Sequence, residues 1–130
     1  MRRLHHVAIG SADVSRLAAF YRDVFGLTES ARHHDGAGGL RSIWLDADGT
    51  LVMIERSDAP ARRVEGVGTG PFLVAFAVSA AERERFERAL VQRGQPIEAR
   101  TEFTLYARDP DGNRVAVSHY PETAHRSDEL

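Results

Sequence analysis

The sequence predicts an α+β fold made of two tandem βαβββ modules. Its 130 residues suffice for one domain with a single core. Two halves of the chain repeat the order of one strand, one helix and three strands, and a glycine ends each helix, Gly26 and then Gly94. An Asp-Gly hairpin turn also recurs in each half. The predicted parts of this domain, 1–130, are module one at about 4–56, a linker at 57–70, module two at about 71–120 and a polar tail at 121–130.

The first module is predicted from its periodicity. Residues 4–10 alternate as in a strand, and residues 13–25 place apolar side chains at helical spacing, with Ser11 or Asp13 as the cap. Asp46-Ala47-Asp48-Gly49 has the composition of a hairpin turn. The three strands predicted after the helix are at about 28–34, 40–46 and 50–56.

The second module repeats this order. Residues 71–78 form an apolar strand, Ser79 and Glu82 fit a capping box, and the helix runs to Arg93. Between the modules, residues 57–70 are rich in Gly, Pro, Ala and charge and show no periodicity, which is typical of a linker. The remaining predicted strands are at about 96–101, 103–108 and 113–120, the last two joined by Asp109-Pro110-Asp111-Gly112.

Strand alternation predicts which side chains face away from the helices. In the first strand Val7 and Ile9 suit the helix side, which leaves His6 on the other face. The same rule predicts that this second face carries mainly small residues. Such a face packs closely on another element or leaves a hollow, and we expect a hollow that binds a ligand. The residues predicted there are His6, Ala8, Gly10, Leu51, Met53, Glu55, Leu73, Ala75, Ala77, Arg114, Ala116 and Ser118.

Composition excludes several function classes. The net charge is −2, and the 17 basic residues, all arginine, form no stripe, which argues against nucleic acid as a partner. Without cysteine there is no disulfide, thiolate zinc site or cysteine nucleophile. The longest apolar run, 71–78, is too short to span a membrane, and residues 1–6 precede no apolar signal segment, so we expect a cytoplasmic protein. No nucleotide-binding fingerprint is present.

Three sequence strings carry a family resemblance. They are LHHVAI at 4–9, FYRDVFGL at 20–27 and RDPDGN at 108–113. From about Leu4 to Tyr120 the chain resembles the vicinal oxygen chelate superfamily, which contains glyoxalases, bleomycin-resistance proteins and extradiol dioxygenases. The resemblance implies a U-shaped mixed-sheet cavity with helices on the outer face, a small-molecule ligand and a homodimer.

The resemblance also implies four metal-ligand positions, one on each of four strands. In this sequence they are His6, Met53, Leu73 and Ala116. Only His6 is a usual ligand for the divalent ions of this superfamily, so we expect the usual metal site to be absent and no cofactor to be needed. The alternative is a divalent metal held by His6 together with Glu55.

His6 and Glu55 are also the candidate catalytic residues. A histidine facing a ligand can transfer protons near pH 7, and a half-buried glutamate can act as a base. The alternatives are a structural role for His6 and a surface ion pair, with Arg56 or another arginine, for Glu55. The residues predicted to contact a ligand are Trp44 and Tyr106 as aromatic walls, Met53, Leu73 and Ala116 as apolar lining, and Arg114 and Ser118 as polar anchors.

The other histidines are assigned no role at the site. Residues 33–34 precede a glycine-rich stretch, which favours an exposed turn over a metal clamp. His119 alternates with Val117 and should point to the helix side, and His125 lies in the polar tail.

Three functional classes follow: a metal-free binder of small molecules, which we favour, a metal-dependent lyase, isomerase or dioxygenase, and a metal-independent acid–base enzyme.

Overall fold

The structure, a computed structural model, describes residues 1–123. The chain divides into two compact units, Met1–Ala61 and Arg62–Leu130. The division falls within residues 57–70, which have neither helix nor strand.

The first unit is a βαβββ module. Its sheet has the strand order β1-β4-β3-β2, with β1 parallel to β4 and the other neighbours antiparallel. This arrangement confirms the predicted element order. The elements are β1 (His6–Ser11), α1 (Val14–Phe25), β2 (Thr28–His34), β3 (Leu40–Ala47) and β4 (Thr50–Arg56).

Local chemistry sets the ends of α1. Of the two predicted caps, Asp13 is the N-cap, and its side chain accepts a hydrogen bond from the Arg16 backbone N–H at 3.1 Å. Gly26 ends the helix with φ 73°, a left-handed conformation that favours glycine, and its N–H bonds the carbonyl of Arg22. The buried face of α1 includes Leu17 and Tyr21. The core residues of the sheet are Ile43, Leu45, Val52 and Ile54.

The second unit repeats the module. Its sheet has the order β5-β8-β7-β6, again with one parallel pair, β5 and β8. The two four-stranded mixed sheets with their helices confirm the α+β class. None of the helices among the described residues is long and apolar enough to cross a membrane. The elements are β5 (Val74–Ala77), a 3₁₀ turn (Ala80–Glu82), α2 (Arg83–Gln92), β6 (Ala99–Arg100), β7 (Thr104–Arg108) and β8 (Arg114–Ser118).

Two strands of the second unit are shorter than predicted. The strand predicted at 71–78 is reduced to β5, and the strand predicted at 96–101 is reduced to β6. A proline occurs in the first part of each predicted run, and proline has no N–H to donate to a neighbouring strand. The predicted capping box is confirmed, because the Ser79 and Glu82 side chains each accept the other's backbone N–H.

The second half of the linker is anchored to the second unit. Arg108, whose side chain is buried, donates two hydrogen bonds to the Glu98 carboxylate and one each to the carbonyls of Val64 and Gly112. This one side chain therefore fastens the segment around Val64 to the β7–β8 hairpin.

His119 lies on the helix side of its sheet, as predicted. It is buried, and its Nε2 is 3.3 Å from the Arg83 guanidinium on α2. Arginine only donates, so Nε2 accepts, while Nδ1 donates to the carbonyl of Glu122. The imidazole thus joins the start of α2 to the end of the second module.

Candidate functional site

The candidate site is the face of the first sheet that points away from α1. Strand register orders its side chains in rows that cross the sheet. One row is polar, and the next carries the aromatic and thioether side chains. The rows are His33–Ser42–Glu55–Gly10, Ala31–Trp44–Met53–Ala8 and Asp46–Leu51–His6.

Three buried polar atoms on this face have no hydrogen-bond partner among residues 1–123: His33 Nε2, Ser42 Oγ and Trp44 Nε1. Ser42 is only 1% exposed, and the rings of His33 and Trp44 contact each other with centroids 4.6 Å apart. A buried polar group without a partner destabilises the folded state, and native proteins rarely tolerate several together. Three such atoms on neighbouring positions make this patch the candidate functional site.

Glu55 lies in the same row as Ser42. Its carboxylate is half-buried and forms no ion pair or hydrogen bond with any residue of the described range 1–123. The ion pair predicted as its alternative role is wrong for Arg56, which instead contacts Asp35 at 2.8 Å. Hydrogen bonds from Arg56 and from the Gly39 N–H hold the pKa of Asp35 below its usual 3.8.

The second sheet offers an internal comparison. Tyr106 pairs with Ala116 as Trp44 pairs with Met53, which confirms that the two aromatic residues occupy equivalent places. One row further on, Thr104 and Ser118 correspond to Ser42 and Glu55. There the Thr104 hydroxyl donates to Ser118 Oγ at 3.0 Å. The equivalent row of the second sheet is therefore internally satisfied.

The four positions inferred for a metal are equivalent in the two sheets. In the first sheet His6 pairs with Leu51, and Met53 follows Leu51 by two residues. In the second sheet Leu73 directly precedes β5, and Ala116 follows Arg114 by two residues. Only His6 supplies a usual donor, because leucine and alanine have none and a thioether is a weak one. Within residues 1–123, no group of three or more His, Asp or Glu residues is placed to hold a metal ion. These residues do not fit the divalent metal that the fold implies.

The structure does not bring His6 and Glu55 together. His6 pairs with Leu51 and Glu55 pairs with Gly10, so the two lie four residues apart along the sheet, about 13 Å by strand rise. His6 is exposed, and its Nδ1 is 2.9 Å from Nδ1 of His5. The interpretation of His6 and Glu55 as a joint metal pair is therefore corrected: they lie in different rows of the face.

The predicted contact residues of the second unit differ in their hydrogen bonds and in their exposure. Arg114 donates to the carbonyl of Gly66 at 3.2 Å, and Ser118 is engaged by Thr104. Ala116 is buried on its sheet, whereas Leu73 lies just before β5 and is 36% exposed.

Sequence reasoning missed His33 and Ser42. The sequence favours an exposed turn at 33–34, and this prediction is wrong. Residues 33 and 34 both belong to β2, and the His33 ring is half-buried against Trp44. The signal was present, because period-two alternation continued from Ala31 places His33 on the same face as Trp44. Ser42 also follows from alternation with Trp44. His125 lies outside the described residues.

Comparisons with known proteins agree with this class of fold. Two tandem βαβββ modules, each with a four-stranded mixed sheet, form a glyoxalase-like fold. A sequence model of the Glyoxalase/Bleomycin resistance protein/Dioxygenase superfamily matches residues 3–117, so the chain belongs to that superfamily. No curated protein matches the chain in sequence.

Solved structures share the fold at low identity. A glyoxalase/dioxygenase from Nostoc punctiforme is 22% identical with a TM-score of 0.73, over 93% of this chain and 92% of that one. A lactoylglutathione lyase from Agrobacterium tumefaciens is 21% identical with a TM-score of 0.67, over 91% and 93%. The fosfomycin resistance protein FosX from Mesorhizobium loti is 16% identical with a TM-score of 0.75, over 100% and 99%.

Proposed function

We propose that this chain is a small-molecule-binding protein of the glyoxalase/bleomycin-resistance type that works without the family's usual divalent metal. The carrying observation is the donor set at the four equivalent positions, where only His6 is a usual metal ligand. A FosX from Listeria monocytogenes has been solved with Mn(II). The four positions inferred for a metal in this chain offer one usual donor, the imidazole of His6.

The first sheet supports binding. Its face that points away from α1 combines small residues, Ala8 and Gly10, with an aromatic ring, Trp44, and with polar atoms that lack partners among the described residues. Ligand pockets typically join apolar walls to a few polar groups that fix orientation. The residues proposed to contact the ligand are Trp44 and Met53 on the first sheet and Leu73, Tyr106, Arg114, Ala116 and Ser118 in the second unit.

Metal analysis tests this proposal. Untagged protein is analysed for elements, then titrated with Mn, Fe, Ni and Zn while thermal unfolding is followed, and His6→Ala is the matched variant. We expect no stoichiometric metal in either protein and no metal-dependent rise in Tm, because one imidazole binds a divalent ion weakly. Stoichiometric metal that is lost in His6→Ala would refute the proposal and favour a metal-dependent lyase, isomerase or dioxygenase.

The second candidate is a metal-independent enzyme, favoured by the unpaired Glu55 carboxylate. A carboxylate in this position can take or return a proton of a bound ligand. Incubation with S-lactoylglutathione and with fosfomycin, followed by NMR, tests two compounds named for related folds. Conversion that disappears in Glu55→Gln would establish this candidate in place of simple binding.

Assembly and location stay predictions. We propose a homodimer, because each described sheet has edge strands, β1 and β2 or β5 and β6, that a partner can cover. The cytoplasm is the location that we propose for it. Light scattering of the purified protein measures the mass directly, and a monomer across the micromolar range would contradict the dimer.

A further inference from the structure

We propose that His33, Ser42, Trp44 and Glu55 recognise a flat aromatic compound with a carbonyl-type oxygen at one end and a protonated amine at the other. This inference rests on the proposed binding function and names the class of ligand. It follows from the partners that these four side chains lack and from their order on the sheet.

The repeat shows that the fold itself does not leave these groups unpaired. In the second sheet the equivalent row closes on itself, because Thr104 donates to Ser118 at 3.0 Å. In the first sheet Ser42 and Glu55 are cross-strand neighbours, yet Ser42 Oγ has no partner. The same backbone position therefore allows a satisfied pair, and the first sheet keeps its pair open.

The chemistry of each group defines what the ligand must present. An indole N–H only donates, so Trp44 Nε1 requires an acceptor. Ser42 Oγ and His33 Nε2 can also donate, and a carbonyl oxygen with two lone pairs accepts from Trp44 and from one of these two groups. Glu55 only accepts when ionised, and it is best matched by a cation.

The order of the row sets the length of the ligand. His33 and Glu55 are two strands apart, which is about 10 Å, with Ser42 between them. Trp44 lies in the adjacent row, on the same strand as Ser42 and in ring contact with His33, so the three donors lie on β2 and β3 and the carboxylate lies on β4. A benzene ring that separates a carbonyl from an aminomethyl group in the para position spans a similar distance.

Access to the donors requires movement of the ring pair. Nε1 and Nε2 are covered in this conformation, but the Trp44 and His33 rings as wholes are only half-buried. We expect a rotation that separates the two rings to uncover both nitrogens and Ser42 Oγ. Ligand binding should therefore change the surroundings of Trp44, which is the only tryptophan of the chain.

The test uses three related probes and the fluorescence of Trp44. The full probe is 4-(aminomethyl)benzamide, 4-methylbenzamide lacks the amine, and 4-methylbenzylamine lacks the carbonyl. We expect the full probe to change the fluorescence at concentrations about tenfold below either truncated probe. The full probe forms hydrogen bonds at both ends, whereas each truncated probe lacks the bond at one end.

Variants connect each end of the probe to its residue. In Glu55→Gln the advantage over 4-methylbenzamide should disappear, and in Ser42→Ala the advantage over 4-methylbenzylamine should fall. The matched controls are Ser15→Ala, exposed on α1, and Glu84→Gln, exposed on α2, which should leave both advantages unchanged. Trp44→Phe, followed by calorimetry, keeps a ring but removes the N–H and should also reduce the carbonyl advantage.

The outcomes separate this inference from the proposed function. A full probe that gives no fluorescence change, or that binds no better than both truncated probes, refutes the recognition set, as do advantages that persist in Glu55→Gln and Ser42→Ala. Binding of unrelated compounds in a thermal-shift screen would then leave the proposed function intact. Stoichiometric metal in the protein refutes the proposed function, whatever the probes show.

Discussion

Replacement of Ser42 by alanine should make the unliganded protein more stable. The hydroxyl is buried and unpaired, and a buried hydroxyl without a partner costs about 1–3 kcal/mol. Its removal leaves a gap of one atom, whose cost we place below about 1 kcal/mol. The net gain is about 1 kcal/mol, which raises Tm by about 4 °C in a domain of this size.

Ser11 provides the matched control. It is as buried as Ser42, but its Oγ accepts the backbone N–H of Asp13 at 3.1 Å. Ser11→Ala should therefore lower the free energy of unfolding by about 1 kcal/mol, because a hydrogen bond is lost. Urea and thermal unfolding of both variants, followed by circular dichroism, measure the two changes. Equal destabilisation of both variants would show that Ser42 Oγ has a partner, and the reasoning about the open row would fail.

Three further predictions concern the second unit. Arg108→Ala should destabilise by about 2–3 kcal/mol in urea unfolding, because its buried guanidinium donates to the Glu98 carboxylate and to two carbonyls, whereas Arg63→Ala, half-exposed on the same carboxylate, should cost below about 1 kcal/mol. His119→Phe should cost about 2 kcal/mol in the same assay, since it keeps a ring but removes two hydrogen bonds, and an unchanged midpoint would contradict the assigned contacts. The Ser79 backbone N–H lowers the pKa of Glu82 from 4.5, so the cap stabilises α2 above that pH and is lost as pH falls through the lowered pKa. The protection of amides at the start of α2 against exchange, measured relative to their intrinsic exchange rates, should fall on acidification, and Glu82→Gln should remove that pH dependence.

The order of the elements could be predicted because local chemistry determines their ends. Gly26 and Gly94 end helices with positive φ, and the Asp48-Gly49 turn has positive φ at both residues. Strand lengths were less predictable, because a strand persists only where a neighbour accepts its hydrogen bonds. The apolar run at 71–78 therefore shortens to Val74–Ala77, and Leu73 falls outside the strand.

The sequence predicted which residues share the face of the candidate site, but it did not predict their hydrogen bonds or their burial. Alternation placed His6, Met53 and Glu55 on one face, and the register bears this out. Whether Ser42 has a hydrogen-bond partner depends on the distance to its neighbour across the strands, and no one-dimensional pattern contains that distance. The same limit applies to His33, whose burial against Trp44 appears only when the strands pair.

The closed hydrogen bond between Thr104 and Ser118 has a consequence for engineering. If the open row of the first sheet recognises the ligand while the equivalent row of the second sheet keeps its own hydrogen bond, ligand specificity can be altered by substitutions at few positions. All of these positions lie in the first half of the chain. A library confined to His33, Ser42 and Glu55 would leave every hydrogen bond of the second sheet in place. The reverse exchange, Ser42→Thr together with Glu55→Ser, should close the open row of the first sheet in the way that Thr104 and Ser118 close the equivalent row of the second.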